Sequence, residues 1–428
     1  MKKLLIINAV GLTENLIGDH TPNLQHYFKS CHRHLTPPIP AVTCTSQASM
    51  TTGKTTDEHG IVANGWYFRD LAQVWLWRQS NQLIEAEKFW DRLKKKDPNF
   101  TVAKMFWWYN MYSTADYSIT PRPIYRADGA KHPSAYSHPA ELNAEVEAKH
   151  GTFPLFKFWG PLTDVSSTQW IADSTIHVME TKNPSLCLTY LPHLDYNLQR
   201  LGPNHPDMAK DVGELDNVIG HLRQTAEKLD YQVMILSEYG IQEVDTPIHI
   251  NRILRKAGKV ATRLECGEEH FDAGASDAFA LADHQLAHVY VKDSSKIDEI
   301  GEVLKQDPNI DEVLVGDERK KYQLDHERSG EIVCLAKRNA WFTYYYWLDD
   351  KLAPDFARAV DIHRKPGYDP VELQMIPGGK LQAAWTLLKK KLGFRYNMQI
   401  IPLDASGIKG SHGVHCATPQ EGPILLSS

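Results

Sequence analysis

The sequence lacks the cysteine patterns that mark zinc ribbons and disulfide frameworks. Its six cysteines are scattered over 428 residues, with no pair in CxxC spacing, so neither kind of cross-linked fold is indicated. It also lacks any apolar run that approaches the ~20 residues of a membrane-spanning helix. Internal repeats and low-complexity segments are missing as well. These absences predict a globular protein held together by a hydrophobic core.

A strong excess of one charge is missing too. The formal net charge is −6, which argues against a dedicated surface for a nucleic-acid polymer or an anionic membrane. The apolar start resembles a signal peptide only briefly, because its apolar run soon meets Gly11 and Glu14. We therefore expect a first buried strand, a cytoplasmic location, and neither a nucleic-acid polymer nor a membrane as partner. The composition leaves the oligomeric state open.

What the sequence does contain is an alternation of strand and helix patterns. Residues 185–191 and 232–240 are short apolar runs typical of buried parallel strands, and 209–229 between them has the pattern of an amphipathic helix. Near the start, Thr21 and Pro22 suit the N-cap and first position of another helix. This succession predicts an α/β fold with a doubly wound, mostly parallel sheet flanked by helices.

Two stretches interrupt the alternation. Residues 65–180 are rich in Trp, Tyr and Pro with weak periodicity, which predicts a cap or long loops over a site; residues 286–335 hold a compact strand–helix–strand set. We expect a core formed by residues 1–255 and 340–428, with the aromatic-rich cap inside its first part. Residues 256–339 are expected to form a small inserted α+β subdomain.

Hydroxyl side chains crowd into "VTCTSQASMTTG", which begins at Val42. One of them is enough to cap a helix, so the others either only pack or surround a group that does chemistry. We expect Thr43 to project from a strand end and Thr45 or Ser46 to cap the helix that follows. Taken alone, Thr43 is most often a capping or core threonine, and Cys44 a small buried hydrophobe.

Polar residues also follow the later apolar runs. In a doubly wound sheet, ligands bind beyond the carboxyl ends of the strands, so these residues are candidates for one site. Singly, such a carboxylate is usually a helix cap or surface charge, and such a histidine a solvated loop residue. The joint order of a hydroxyl and then Asp, Glu and His on separate segments favours a shared site. The candidates are His193, Asp195, Gln199, Glu238, His363 and His412.

These segments resemble the alkaline phosphatase superfamily, in its type I phosphodiesterase/nucleotide pyrophosphatase branch. The resemblance is carried by "TPNL", by "PAVTCTSQASMTTGKTTDEHGIVANGWY" and by "GSHG". It is weak from residue 3 to about 240 and resumes over about 340–415. It implies an alkaline-phosphatase-like sheet with cap insertions, Thr43 as the nucleophile and Asn64 close to it.

The resemblance also implies two divalent ions that activate the threonine and stabilise the leaving oxygen. The ligands that it carries over are Asp195, Glu238 and His412. Carboxylate together with imidazole suits zinc best, with manganese or magnesium as alternatives. Asp195, Glu238, His412 and Thr43 could hold one ion well, or two only with help, and His193 and His363 are the candidates to help; we therefore expect one or two ions.

Three ligand positions of the family are replaced in this chain. The first-strand aspartate falls at Val10, for which Asn8 could substitute only loosely, and the expected histidines are Gln199 and Tyr239. Amide and phenol groups bind these metals poorly. The metal set is therefore divergent from that of the family.

The leading hypothesis is a metal-dependent hydrolase of phosphodiester or pyrophosphate bonds that acts on a small phosphorylated substrate through Thr43. A phosphatase or phosphonatase-type member is one alternative. A degenerate protein that binds a phosphorylated ligand, or serves as an accessory protein, without turnover is the other. The aromatic segment 106–112 is expected to select the organic group. Candidate substrate-binding residues are Trp108, Tyr109, Asn110 and Lys365.

Overall fold

The computed structural model describes residues 2–127 and 130–427. Its helices are α1 Pro22–Ser30, α2 Thr43–Thr52, α3 Thr56–His59, α4 Phe89–Lys96, α5 Leu142–His150, α6 Leu155–Phe158, α7 Val165–Lys182, α8 His193–Leu201, α9 Met208–Lys228, α10 Ile250–Lys256, α11 Ile297–Lys305 and α12 Gly379–Lys391. Its strands are β1 Lys3–Ala9, β2 His32–His34, β3 Gly65–Phe68, β4 Gln73–Leu76, β5 Val102–Met105, β6 Tyr117–Pro121, β7 Ile124–Tyr125, β8 Lys131–His132, β9 Ala135–His138, β10 Leu186–Leu191, β11 Tyr231–Leu236, β12 Gln242–Glu243, β13 Thr246–Ile248, β14 Thr262–Glu265, β15 Glu268–Phe271, β16 Ala278–Asp283, β17 Leu286–Val291, β18 Ile310–Val315, β19 Ile332–Ala336, β20 Ala340–Phe342, β21 Gly410–Ser411 and β22 Ile424–Ser427.

The centre of the fold is an eight-stranded sheet in the order β2-β22-β11-β1-β10-β5-β6-β9. Its inner strands β11, β1, β10, β5 and β6 run parallel, and β22 and β9 pair antiparallel near the two edges. Asn8 of β1 lies opposite Tyr190 of β10 and Leu236 of β11. The segments that follow these strands therefore meet at one edge of the sheet, as a ligand site in such a fold requires. The predicted α/β fold class is confirmed.

The strands and helices of this layer follow from their sequences. Leu5 and Ile7 of β1 are fully buried together with the residues between and after them, the pattern of a strand covered on both faces. Helix α9 was predicted over 209–229 and is found one residue earlier, and α7 and α9 pack on β10 and β11. Helix α1 begins after Thr21 with Pro22 at its start, as predicted.

The stretch 65–180 differs from the expectation of a cap. It supplies β5, β6 and β9 to the central sheet and α7 to the helices that cover it. Strand β5 is only four residues long and includes the buried Lys104, so the sequence lacks the longer apolar run that marks β1 and β10. That part of the prediction is corrected.

A second, four-stranded sheet in the order β16-β17-β19-β18 is antiparallel throughout, with α11 packed on β18. The hairpin of β16 and β17 turns at His284 and Gln285, where His284 has a φ of 60°. Gln285 donates its backbone N–H to His412 O at 2.9 Å, so the hairpin tip reaches the C-terminal loop of the central layer. The subdomain boundaries at 256 and 339 stay a prediction.

Among the described residues, no helix has both the length and the apolar composition needed to cross a membrane.

Candidate active site

Thr43 is the first residue of α2 and is only 5% exposed. The strand before it, β2, ends at His34, so Thr43 follows a loop and not a strand end as expected. Neither predicted cap is found, because the helix begins before both residues. Thr45 Oγ1 donates to Ile61 O at 2.9 Å, and Ser46 Oγ to Glu238 O at 3.5 Å.

Asn64 fixes the start of α2. Its Oδ1 accepts the Cys44 backbone N–H at 3.0 Å, one of the helix N–H groups that have no partner within the helix. Its Nδ2 and backbone N donate to Asp283 at 3.0 and 2.7 Å. Both ends of the Asn64 amide are therefore engaged, and the residue joins Thr43's helix to the β16–β17 hairpin.

A hydrogen-bonded series leads from Thr43 to Asp195. Tyr239 OH donates to Asp195 Oδ1 at 3.2 Å and lies 3.1 Å from Thr43 Oγ1. A phenol has one proton, so when Tyr239 donates to Asp195, the Thr43 hydroxyl donates to Tyr239. Burial raises the pKa of Asp195 to about 7, close to the value that suits proton transfer at neutral pH.

The other oxygen of Asp195 is also occupied. Gln199 Nε2 donates to Asp195 Oδ2 at 2.7 Å, and Gln199 Oε1 accepts from Tyr368 OH at 2.9 Å. Asp195 and Gln199 lie four residues apart on α8 and so share one helix face. The position predicted to have lost a metal-binding imidazole therefore orients the carboxylate instead.

Glu238 lies close to the Thr43 hydroxyl but has a different environment. Its Oε1 accepts from Asn8 Nδ2 at 2.5 Å and Gln47 Nε2 at 2.7 Å. The Thr43 hydroxyl also interacts with this carboxyl and lowers its pKa, less than burial raises it. Burial, and to a lesser degree the nearby Asp195 carboxylate, raise the pKa of Glu238 to about 8. Glu238 is therefore mostly a neutral acid at pH 7.

His412 is part of a stack of aromatic rings that the sequence did not reveal. Tyr239 stacks on His412 with centroids 3.6 Å apart, His412 lies 3.7 Å from His284, and His284 lies 3.7 Å from Tyr368. His412 Nδ1 is 2.7 Å from Ala41 O. Because a carbonyl oxygen only accepts, the ring proton is on Nδ1 and Nε2 is unprotonated. That Nε2 lies 3.7 Å from Asp195 Oδ1.

His284 is the site residue that sequence reasoning missed. Its Nδ1 is 2.7 Å from Asp283 Oδ1, its buried Nε2 has no partner in the described structure, and it lines the same cleft as Thr43. Burial holds the pKa of His284 well below its usual value, so the ring is neutral. The sequence signal was an Asp-His pair between two apolar runs, in a segment that was expected to belong to a separate subdomain.

Two of the remaining candidates line the cleft. Trp108 contacts Trp77 there, and its backbone N–H donates to Gln47 Oε1 at 2.7 Å. His363 lines the cleft near Arg78 and Lys131, and no hydrogen bond to the residues around Thr43 is found in the described structure.

Two candidates from the aromatic segment do not line the cleft. Tyr109 and Asn110 are buried in the core, where Tyr109 O accepts from Asn81 and Asn110 Nδ2 donates to Ile119 O. Tyr109 and Asn110 therefore pack in the core, whereas Trp108 and Met111 of the same segment line the cleft.

The two basic candidates are also used elsewhere. Lys365 is 1% exposed and pairs with Asp369 and Glu372 at 2.8 and 2.6 Å, so its charge is already neutralised. His193 lies on the face of α8 away from Asp195, with Nε2 3.3 Å from Asp211 O.

The residues around Thr43 do not fit the two divalent ions that the resemblance implied. Across residues 2–127 and 130–427, no three His, Cys, Asp or Glu side chains are grouped to hold an ion. Both oxygens of Asp195 already accept hydrogen bonds. His412 Nε2 with Asp195 supplies two ligands, fewer than the three that a catalytic zinc site takes from protein. The expected zinc, manganese or magnesium is therefore not supported by this donor set.

The cleft above Thr43 has a volume of about 2000 Å³. Aromatic rings form much of its wall, including Trp77, Trp108, Trp159, Tyr190, Tyr196 and Tyr368. Its basic lining residues are Arg78, Arg122, Lys131, Arg364, Lys390 and Arg395, against the acidic Glu147, Asp195 and Asp361. The cleft therefore suits an anionic ligand that also carries an apolar or aromatic group.

The mostly parallel sheet, with Thr43 at a helix start and polar residues beyond the strand ends, defines an alkaline-phosphatase-like protein. The sequence signature of the type I phosphodiesterase/nucleotide pyrophosphatase family matches residues 4–369. The chain belongs to that family. Its members generally depend on divalent metals, and the donor set described above departs from that pattern.

Solved structures with this fold cover the whole chain. Murine ectonucleotide pyrophosphatase/phosphodiesterase 5 is 16% identical with a TM-score of 0.59, over 100% of this chain and 88% of that one. The human protein is 17% identical, also with a TM-score of 0.59, over 100% and 87%. Phosphonoacetate hydrolase from Sinorhizobium meliloti is 12% identical with a TM-score of 0.60, over 100% and 90%. Among curated protein sequences, none matches this chain significantly.

Proposed function

We propose that this chain hydrolyses phosphodiester or pyrophosphate bonds of a small phosphorylated substrate, with Thr43 as the nucleophile. The observation that carries the proposal is the hydrogen-bonded series from Thr43 through Tyr239 to Asp195. It supplies a path by which the hydroxyl can lose its proton without a metal ligand. The predicted cytoplasmic location is kept as part of the proposal.

The chemistry follows from that series. As the Thr43 oxygen attacks phosphorus, its proton passes to the Tyr239 oxygen, and the Tyr239 proton passes to Asp195. The bond from phosphorus to the leaving oxygen breaks, and a phosphoryl group remains on Thr43. The first turn of α2 lies beside the reacting phosphate, because Thr43 begins that helix and helix N-termini favour anions. The leaving oxygen departs with the bonding electrons and, unless it is a stable phenolate, takes a proton from solvent. Water then attacks phosphorus and the bond from phosphorus to the Thr43 oxygen breaks. The Thr43 oxygen regains its proton from Asp195 through Tyr239, and the proton of the attacking water passes to solvent.

The neighbouring structures support the substrate class. The murine phosphodiesterase 5 structure is an inactive threonine-to-alanine variant in complex with AMP. The bacterial hydrolase structure contains phosphonoformate. We infer that the cleft here takes a phosphate or phosphonate group at Thr43 and the organic group along its aromatic wall.

The proposal is tested by hydrolysis of bis-p-nitrophenyl phosphate. Thr43→Ala is expected to lose several orders of magnitude in kcat, because the attacking oxygen is gone. Thr43→Ser, which keeps a hydroxyl, should retain measurable turnover. Thr45→Ala is the matched control, since that hydroxyl bonds to Ile61 O. A Thr43→Ala protein with wild-type activity contradicts the assignment.

A second candidate function is binding of a phosphorylated ligand without turnover. It is favoured by the neutral, amide-bonded Glu238 and by the replaced metal ligands. In that case AMP or bis-p-nitrophenyl phosphate would bind in calorimetry, yet no p-nitrophenol would be released by the wild type over many hours. Measurable turnover that depends on Thr43 excludes it.

A further inference from the structure

Helix α12 exposes a continuous apolar face. Leu381 is 79% exposed, Trp385 58%, Leu388 46% and Leu392, just after the helix, 65%. Their spacing of four, three and four residues puts them on one side of a helix. Contiguous large apolar side chains in solvent are uncommon on soluble proteins and mark interaction surfaces.

Basic residues border this face. Residues 373–403 contain no Asp or Glu and five basic residues, although the whole chain has a formal charge of −6. The basic residues are Lys380, Lys389, Lys390, Lys391 and Arg395. Lys389 Nζ lies 5.6 Å from the ring centre of Trp385, and helix periodicity puts Lys389 and Lys391 on opposite flanks of the apolar face. No ion pair of these five is found in the described structure.

The other side of the helix belongs to the cleft. Ala383, Leu387 and Lys390 line it, as do Phe394 and Tyr396 beyond the helix end. The exposed apolar residues are not among its lining residues. The helix therefore forms part of the cleft's rim with one face and presents the opposite, apolar face outward.

We propose that α12 lies in the surface of an anionic membrane, with Leu381, Trp385, Leu388 and Leu392 inserted among the lipids and the lysines at the headgroups. An apolar face with tryptophan and leucine, flanked by lysine, is the pattern of helices that lie in the membrane interface. Lysine stems cover apolar surface while their ammonium groups stay in water. This proposal does not depend on the proposed catalytic activity.

Charge complementarity favours an anionic membrane over a second copy of the chain as the partner of this face. A second copy of the chain, packed through the same face, would bring two sets of Lys380, Lys389 and Lys391 together with no acidic residue from 373–403 to neutralise them. An anionic lipid surface neutralises them instead. The expectation of no membrane partner rested on the net charge of the whole chain, which hides this local excess.

The test is flotation of the full chain with two kinds of large unilamellar vesicle. One kind contains phosphatidylcholine alone, and the other contains phosphatidylcholine with about 30% phosphatidylserine. The protein is expected to float with the anionic vesicles, and to be released by high salt. Lys389→Gln/Lys391→Gln should lower the partition coefficient about 30-fold. Leu381→Gln/Trp385→Gln should lower it at least about tenfold.

Two control variants remove exposed lysines or exposed apolar side chains far from α12 in the sequence. Lys95→Gln/Lys96→Gln removes two exposed lysines at the end of α4, and Leu71→Gln/Leu264→Gln removes two exposed leucines. Both should float like the wild type. Absence of flotation with anionic vesicles overturns the proposal, and so does equal loss in the controls. Self-association in sedimentation velocity that Leu381→Gln/Trp385→Gln abolishes, without vesicle binding, would assign the face to a second copy.

Discussion

The two buried carboxyls beside Thr43 accept hydrogen bonds from different groups. Asp195 accepts from a phenol and an amide, and the phenol connects it to the Thr43 hydroxyl. Glu238 accepts from the amides of Asn8 and Gln47 and is the more basic of the two, with pKa values of about 8 and about 7. Where the family resemblance implies metal ligands, the proposed mechanism uses Asp195 to accept the Thr43 proton and treats Glu238 as a mostly neutral support.

This comparison predicts that replacing each of the two carboxyls by an amide has very different consequences. Asp195→Asn should lower kcat by about 10²–10⁴, since an amide cannot accept the proton. Glu238→Gln should change kcat by less than about tenfold, because an amide resembles a neutral carboxyl in shape and hydrogen bonding. Steady-state kinetics on bis-p-nitrophenyl phosphate checks both. Equal losses in the two variants would remove the distinction.

A substitution of Tyr239 tests whether the connection between Thr43 and Asp195 matters for turnover. Tyr239→Phe keeps the ring that stacks on His412 but removes the oxygen between Thr43 and Asp195. We expect kcat to fall by about 10–10², less than for Asp195→Asn, because a water can replace the missing oxygen. A change in KM alone, with kcat intact, would show that Tyr239 only shapes the cleft.

How far the sequence could predict this site differs between its parts. The positions of Asp195 and Glu238 followed from apolar runs that end in polar residues, and those of Thr43 and His412 from the family motifs. His284 also follows an apolar run, but it was missed because the sequence does not show that a hairpin of the other sheet reaches the site. Lys365 looked like a phosphate ligand because sequence does not show that Asp369 and Glu372 neutralise it.

The fold shows the same division. Alternating patterns located both ends of β10 and α9 and the start of β11 to within one residue, whereas β11 ends four residues before the predicted end at 240. The strand β5 went unnoticed, since it is only four residues long, contains Lys104 and adjoins the aromatic segment 106–112. The sequence does not show that the carbonyls of Trp108 and Tyr109 accept hydrogen bonds from the buried Lys104 ammonium.

The pH dependence of stability should report Glu238. Its pKa is raised from 4.5 to about 8, so the folded state binds a proton that the unfolded state releases between about pH 4.5 and 8. The stability that this carboxyl contributes is present below pH 4.5 and is lost as the pH rises toward 8, by at most ~1.4 kcal/mol per pH unit. Glu238→Gln should therefore unfold at a higher temperature than wild type at pH 8, and the advantage should shrink at pH 5. Calorimetry at both pH values checks this, and a constant difference would contradict it.

The smallest effect is expected from divalent ions. Since the residues around Thr43 do not fit an ion pair, treatment with a chelator, or addition of zinc or manganese, should change kcat by less than about twofold. The same titration followed by thermal unfolding gives a readout independent of turnover. A large, saturable rise in either quantity would show that a metal site forms.

The central claim is that Thr43 becomes covalently modified with Asp195 taking its proton. The most direct measurement is rapid quenching of the enzyme during turnover of bis-p-nitrophenyl phosphate, followed by peptide mass spectrometry. The account predicts a p-nitrophenyl phosphoryl adduct on the peptide that contains Thr43, with a lower rate of formation in Asp195→Asn and no adduct in Thr43→Ala. Turnover at the wild-type rate with no adduct on Thr43, or an adduct on another residue, would contradict it.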